Sequence, residues 1–245
     1  MSTPTVKPKA MIQDNTRCIG CRACMVACKS WNDRPEDHTD FFAGNGYQNP
    51  RDLDANNYTL ITFNEIVTGA QPDWVFGRQL CMHCEHPACA SACPTTALTK
   101  TELGPVVFDA SRCIGCRSCM QACPFLIPKY DYENLAPKIH KCTFCADRLE
   151  VGLEPACAKV CPTGAITFGK YEDIVPLRRT KPVNAHVFGN QKVETKVYLM
   201  LPTDADEVEV DGCGVFEGRV TTEQQPASES WIDLQVEQTD KSNEF

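Results

Sequence analysis

Arg112-Cys113-Ile114-Gly115-Cys116-Arg117-Ser118-Cys119-Met120-Gln121-Ala122-Cys123-Pro124 is the stretch on which the reading of this chain turns. Its cysteines follow C-x2-C-x2-C-x3-C-P, a run that holds cubane iron–sulfur clusters. A cubane needs thiolates converging from several sides. The first three cysteines sit on a loop that curls around one cluster, and the fourth is carried away on a short helical turn to ligate the other cluster of a pair. Gly115 permits the tight wrap, because a residue without Cβ enters the φ > 0 region and lets backbone N–H groups approach sulfur. Pro124 fixes φ and ends the turn.

Three relatives of this motif lie elsewhere in the chain. Arg17 to Cys28 repeats Arg112 to Cys123 and differs only at Ala23 against Ser118 and Val26 against Gln121, so one structural unit is used twice. Its cysteines are Cys18, Cys21, Cys24 and Cys28, with Lys29 where the proline would stand. The second motif is Cys81, Cys84, Cys89 and Cys93-Pro94, with four residues between its middle cysteines. The fourth is Cys142, Cys145, Cys157 and Cys161-Pro162, with eleven. Cys93-Pro94-Thr95-Thr96-Ala97-Leu98 and Cys161-Pro162-Thr163-Gly164-Ala165-Ile166 are a further repeat. Sixteen of the 17 cysteines fall into these quartets and fit four [4Fe–4S] clusters. Structural zinc also takes four cysteines but favours two C-x2-C pairs a dozen or more residues apart. A third cysteine at x2 and a fourth at x3 before proline is the iron–sulfur form. Cys213 has no quartet and reads as an uninvolved thiol. His83 and His86 lie inside a motif whose cysteine count is complete, so they read as packing or hydrogen-bonding groups. Arg17, Arg22, Arg112, Arg117, Lys138, Lys141 and Arg148 flank ligands, where a cation would tune cluster potential, or else are solvated surface.

The chain has 245 residues and a net charge of −8, which argues against a nucleic-acid partner held through phosphates. Clustered C-x2-C pairs in a chain this long suit metal better than disulfides. Residues 1–17 lack an apolar leader core and a twin arginine, and no run of 18 apolar residues occurs. Serine-triad, phosphate-loop and dinucleotide patterns are absent. Four-thiolate clusters have no open coordination site, so the residues point to electron transfer, with no catalytic side chains of the chain's own. Residues 1–16 read as a polar arm, and 31–57 as loop. Tyr58 to Val67 reads as a strand that turns near Gly69 and returns through Trp74-Val75-Phe76. Ala97-Leu98-Thr99 and Val106-Val107-Phe108 form a short hairpin, Thr163 to Phe168 a short strand, and Lys192 to Leu201 one strand more. From Asp204 on, twelve acidic residues face two basic ones, a solvated acidic tail.

On the four motifs in order, with their x4 and x11 gaps, residues 11–175 resemble the four-cluster iron–sulfur (beta) subunits of molybdenum or tungsten bis-pterin oxidoreductases of the dimethyl-sulfoxide-reductase superfamily. Cys142-Thr143-Phe144-Cys145-Ala146-Asp147-Arg148 and Glu154-Pro155-Ala156-Cys157 through Phe168-Gly169 are similar to that family's last motif. Trp31-Asn32-Asp33, Asn49-Pro50-Arg51-Asp52-Leu53 and Cys81-Met82-His83-Cys84-Glu85 resemble formate dehydrogenase beta subunits most. Related subunits serve polysulfide and nitrate reductases, and a hydrogenase branch shares the motifs. The resemblance implies an α+β protein of two interlocked double-[4Fe–4S] ferredoxin-like units with short hairpins and helices, little conventional core, and a C-terminal extension. Residues 1–16 would be the arm, 17–80 with 136–175 the first unit, 81–135 the second, and 176–245 the extension with its acidic tail.

It also implies the ligand sets. Cys18, Cys21, Cys24 and Cys161 would hold one cluster, and Cys142, Cys145, Cys157 and Cys28 the next. Cys81, Cys84, Cys89 and Cys123 would hold the third, and Cys113, Cys116, Cys119 and Cys93 the fourth. The implied function is relay of single electrons between a large Mo/W bis-pterin catalytic subunit and a further acceptor or donor protein, a membrane subunit among the options. The first-motif cluster would face the catalytic subunit. Membrane-bound members of the family end in a transmembrane helix where this chain has its acidic tail, which favours a soluble or peripheral protein. Its place would be cytoplasmic, or periplasmic if carried by a partner's twin-arginine signal.

Overall fold

A computed structural model describes residues 9–36, 49–50, 52–68, 71–132, 138–175, 181–201 and 205–209. In chain order its elements are β1 (Lys9–Asp14), α1 (Ala23–Trp31), β2 (Thr59–Thr68), β3 (Gln71–Leu80), α2 (Ala88–Ser91), β4 (Leu98–Lys100), β5 (Val106–Phe108), α3 (Ser118–Ala122), β6 (Lys129–Tyr130), β7 (Ile139–His140), α4 (Ala146–Glu150), α5 (Ala156–Val160), β8 (Ile166–Lys170), α6 (Tyr171–Ile174), β9 (Val183–Phe188), β10 (Gln191–Met200) and β11 (Val208–Glu209). The acidic stretch from residue 210 onward lies outside the described residues, and Cys213 with it.

Five strands form one mixed sheet in the order β11-β9-β10-β1-β8. β1 runs parallel to β10 and antiparallel to β8. Met11 and Ile12 point to opposite faces of β1, and both are buried. The arm expected over residues 1–16 is therefore corrected over residues 9–14, which form an inner strand. A strand covered on both faces needs no polar alternation, so the short run Ala10-Met11-Ile12 gives no period to read.

Within the expected extension from residue 176, residues 183–200 form a hairpin of the same sheet. β9 and β10 pair as a hairpin across Gly189-Asn190, with Gly189 at φ 57°, the left-handed geometry of a two-residue turn. Val183, Ala185, Val197, Leu199 and Met200 are buried. The strand expected over 192–201 is β10, and it joins the same sheet as β1 and β8.

Three separate hairpins carry the remaining strands. β2 and β3 pair along their length, with Phe63 opposite Phe76, where the alternation predicts a strand and its return. β4 pairs with β5, as expected, and β6 with β7. β8 starts at Ile166, later than Thr163, because Gly164 (φ 62°) closes a turn by donating its N–H to the Cys161 carbonyl at 3.2 Å.

The helices are short and matter for where they put cysteines. α1, bearing Cys24 and Cys28, packs on α5, which bears Cys157; α2, bearing Cys89, packs on α3, which bears Cys119. Two hydrophobic clusters result. The larger joins Met11, Leu60, Leu80, Val197 and Leu199 to Cys24, Cys81, Cys123, Cys142 and Cys157; the smaller gathers Cys89, Leu98, Val106, Cys119, Tyr130 and Ile139. The molecule thus has more apolar core than the cysteine pattern announces, and that core shares its surface with the ligand loops.

Candidate iron–sulfur centres

Each C-x2-C loop has a left-handed residue at the same place, just before its second cysteine: Gly20, His83, Gly115 and Phe144, with φ between 48° and 73°. The repeat between the first and third motifs extends to the next left-handed residue, Arg22 (φ 61°, ψ 6°) against Arg117 (φ 64°, ψ 2°), which open α1 and α3. This turn folds the backbone back on itself, so that successive cysteines face one point. At Gly20 space requires glycine as well, since a Cβ would lie 2.9 Å from the Phe76 ring. In the two inner loops the position is filled by His83 and Phe144. Their rings stack at 4.3 Å between centroids.

Cys18, Cys21, Cys24 and Cys161 line one cavity, together with Ile19, Phe76 and Arg78. Cys93, Cys113, Cys116 and Cys119 line a second, with Leu98, Tyr130 and Ile139. These are the side chains grouped above by resemblance as the first and fourth sets. The other cysteines are brought together by mutual influence on their thiols. Cys28 and Cys157 act on Cys142, and Cys157 acts on Cys145. Cys81, Cys123 and Cys89 act on Cys84. Between groups, Cys157 lies near Cys24, Cys81 near Cys142, and Cys119 near Cys89.

Burial sets the protonation of most of these thiols. It pushes Cys24 and Cys123 up to about 11 and Cys28 and Cys89 up to about 12, and holds Cys84 and Cys142 high as well. A thiol in that setting ionises only against a strong positive charge, and iron supplies one on binding. Cys93 and Cys161, each followed by Pro-Thr, behave differently. Burial works upward on both. Hydrogen bonds outweigh it: from Thr95 and the N–H groups of Leu98 and Ala97 on Cys93, and from the N–H of Ile166 and from Thr163 on Cys161. Both thiols are held below the ordinary value.

The donor chemistry fits a cubane. Backbone N–H groups aim at sulfur, Ala97 on Cys93 Sγ at 3.2 Å and Phe144 on Cys142 Sγ at 3.4 Å, while Asn32 Nδ2 donates to Cys28 Sγ at 3.5 Å. His83 is fully buried. Its Nδ1 accepts the Val106 N–H at 2.9 Å, which leaves the ring proton on Nε2. That Nε2 has no partner among the described residues, and a sulfide-bearing group beside Cys81 and Cys84 would supply an acceptor. Burial first, then Lys141 and Lys100, keeps the ring neutral. His83 is thus a packing and hydrogen-bonding residue, whereas His86 is exposed.

Of the seven flanking cations, Lys141 alone is buried, and its Nζ donates to the Val106 and Cys142 carbonyls. Arg22 lies over Phe63, Arg117 over Tyr132 and Arg148 over Trp31, so these three are surface stacking groups; Arg112 pairs with Asp109 across solvent. The sequence reading missed two residues. Arg78 is buried beside the thiols of the first and fourth motifs. Its signal was its parity on β3, two residues from Phe76 and two from Leu80, which points it inward. Tyr130 receives the Arg117 N–H at 2.9 Å and adjoins Cys119, for which the sequence carries no local signal.

Two family models, each described as a 4Fe-4S dicluster domain, match the chain, one over residues 72–171 and one over residues 17–97. The formate dehydrogenase iron-sulfur subunit of Haemophilus influenzae is 44% identical over 166 residues, 67% of this chain and 52% of that protein. The nitrate-inducible formate dehydrogenase iron-sulfur subunit of Escherichia coli is 43% identical over 169 residues, 69% of this chain and 56% of that protein. The hydrogenase-2 operon protein HybA of Escherichia coli O157:H7 is 37% identical over 177 residues, 67% of this chain and 52% of that protein. The chain spans about half the length of these curated relatives. Among the described residues no helix is long and apolar enough to cross a membrane.

Proposed function

The chain belongs to the 4Fe-4S dicluster iron–sulfur subunits of the formate dehydrogenase type, and on that premise we propose that it relays single electrons through four [4Fe–4S] clusters. The observation that carries this is the pair of cavities lined by four thiols each, one from the first and fourth motifs and one from the third and second. Ligand exchange between motifs of this kind supports two interlocked ferredoxin-like units, as does the packing of α1 on α5 and α2 on α3. The four ligand sets are those given by resemblance. When bound, each cluster offers a site that takes up and returns one electron.

The chain's own residues do the rest. The left-handed turns aim the thiols, the N–H groups of Ala97 and Phe144 hold negative charge on sulfur, and the apolar lining keeps water from the inner sets. Neighbouring sets adjoin in series: Cys24 near Cys157, Cys142 near Cys81, Cys89 near Cys119. A large Mo/W bis-pterin subunit at one end and an acceptor or donor protein at the other complete the relay. The likeness to the hydrogenase-2 operon protein supports a second reading, in which the large partner is a hydrogenase.

Metal and sulfide analysis of the anaerobically purified chain tests the core of the reading. About sixteen iron and sixteen sulfide per chain are expected from four cubanes. Four zinc without sulfide would show a structural scaffold instead. The large chain that co-purifies separates formate dehydrogenase from hydrogenase.

A further inference from the structure

Arg78 is a buried cation without a carboxylate. It is 7% exposed, and among the described residues no Asp or Glu pairs with it. Its Nε donates to Thr59 Oγ1 at 2.8 Å, its Nη1 approaches Met11 Sδ at 3.4 Å, and the Cys157 thiol lies near enough to act on its charge. It also lines the cavity of Cys18, Cys21, Cys24 and Cys161. Burying a guanidinium this way is costly unless negative charge faces it. One hydroxyl and one thioether do not supply that charge, and thiolates do.

Resting on the electron-transfer reading above, the geometry points to Arg78 as a shared redox-tuning residue, a fixed positive charge between the first-motif cluster and the cluster of Cys142, Cys145, Cys157 and Cys28 that raises the potential of both. Its reach is one-sided. Burial works against its charge, and Cys157, Cys24 and Cys142 outweigh that; in turn it favours the ionised form of Cys18, Cys24 and Cys28. The next quartet, Cys81, Cys84, Cys89 and Cys123, has other cations: Lys141 acts on Cys89 and Cys123, and Lys100 lies near Cys84 and Cys81. Reduction adds one electron to a cluster, breaks no bond and makes that cluster one unit more negative. A nearby buried cation therefore favours the reduced form, in keeping with the dependence of cluster potential on charge and on hydrogen bonds to sulfur.

The test is an anaerobic redox titration followed by EPR on the full chain, with dithionite as electron donor, for wild type, Arg78→Lys, Arg78→Gln and Arg78→Met. Iron and sulfide are counted first. A wild-type chain without four clusters would sink the electron-transfer reading itself, whereas a loaded chain isolates the question of Arg78. Arg78→Met and Arg78→Gln are expected to lower two of the four one-electron potentials, each by at least tenfold in its reduction equilibrium, about 59 mV. The other two stay in place, and Arg78→Lys recovers most of the loss. Unchanged potentials in a fully loaded neutral variant overturn the proposal, as does an equal shift of all four. If the neutral variants fail to load, Arg78→Lys decides: wild-type potentials in a loaded lysine variant uphold a role for the charge. Failure of all three to load assigns Arg78 to folding and overturns the redox role.

Discussion

Positive φ at one residue per loop is what makes each cysteine motif a cradle. Gly20 is under two constraints at once, its φ of 66° and the Phe76 ring at 2.9 Å from where a Cβ would stand. Gly20→Ala is therefore expected to cost about 1–3 kcal/mol from the backbone alone, with more from displacing Phe76. Because Gly20 lies between Cys18 and Cys21, the cost should appear as faster loss of one cluster from a chain that otherwise holds its strands. Anaerobic thermal bleaching of the iron–sulfur absorbance measures it. Phe76→Leu added to Gly20→Ala should recover the steric share and leave the backbone share. If the double variant bleaches no more slowly than Gly20→Ala, the ring contact is not part of the cost. His83 and Phe144 hold the same turn in the inner loops at a strain that glycine would avoid. Their stacking across two motifs offsets it, adding specific aromatic contact to the buried area.

At the level of elements, the sheet is tied to the ligand loops by His186 on β9. This side chain is fully buried, its ring meets Phe125 edge-on at 5.1 Å, and Phe125 follows the proposed ligand Cys123 by two residues. Its Nδ1 lies 3.3 Å from the Asn184 carbonyl, and its Nε2 has no partner among the described residues. Burial brings its pKa down from 6.5 to about 4. The unfolded chain therefore binds a proton that the folded chain refuses. The neutral ring's contribution is complete above pH 6.5 and is lost as pH falls from there through about 4, on the order of 3 kcal/mol in all. His186→Phe should flatten the fall of the anaerobic unfolding midpoint between pH 7.5 and 4.5, while His83, also held neutral, keeps its share in both proteins. Equal slopes for the two proteins would assign the acid sensitivity elsewhere. The same elements show what the sequence makes legible. The cysteine spacing and the repeat mark every C-x2-C loop, because thiolate coordination would fix residue type and interval together. The β2–β3 and β4–β5 hairpins are legible from alternation. β1 is not, since a strand covered on both faces has no period, and Arg78 is not, since only its neighbours' parity turns it inward. Tyr130 and the His83–Phe144 stack join residues far apart in the chain, and no local pattern encodes such a meeting.

For the molecule as a whole, the proposed ligand sets would follow one another in series, with two alike ends. Cys21 and Cys116 are both exposed, and each adjoins an exposed isoleucine, Ile19 at 59% and Ile114 at 67%. The repeat that built the two ends also makes them hard to tell apart as docking faces. What differs is their surroundings. The Cys21 end has the β2–β3 hairpin beside it, with Trp74 exposed on the hairpin and Phe76 lining the cavity. The Cys116 end has Tyr130 and Tyr132, with Arg117 over their rings. On the proposed relay, and by resemblance, the Cys21 end would meet the large catalytic subunit, so electrons from an oxidised substrate would enter there, pass the Cys142 and Cys81 sets, and leave beside Cys116. In the assembled complex, Cys116→Ala should let substrate reduce the first clusters seen by EPR while transfer to the external acceptor fails. Cys21→Ala should stop substrate from reducing the inner clusters, yet a small artificial donor should still reduce the far end. The opposite pairing of outcomes would reverse the polarity. Because both cysteines lie at the exposed ends and outside the shared apolar core, each variant is expected to lose one cluster and retain the other three, about twelve iron per chain. That count is what makes the electron readout interpretable: a drop well below twelve in either variant would mean that the end clusters hold the fold together, and that the line is assembled as one body.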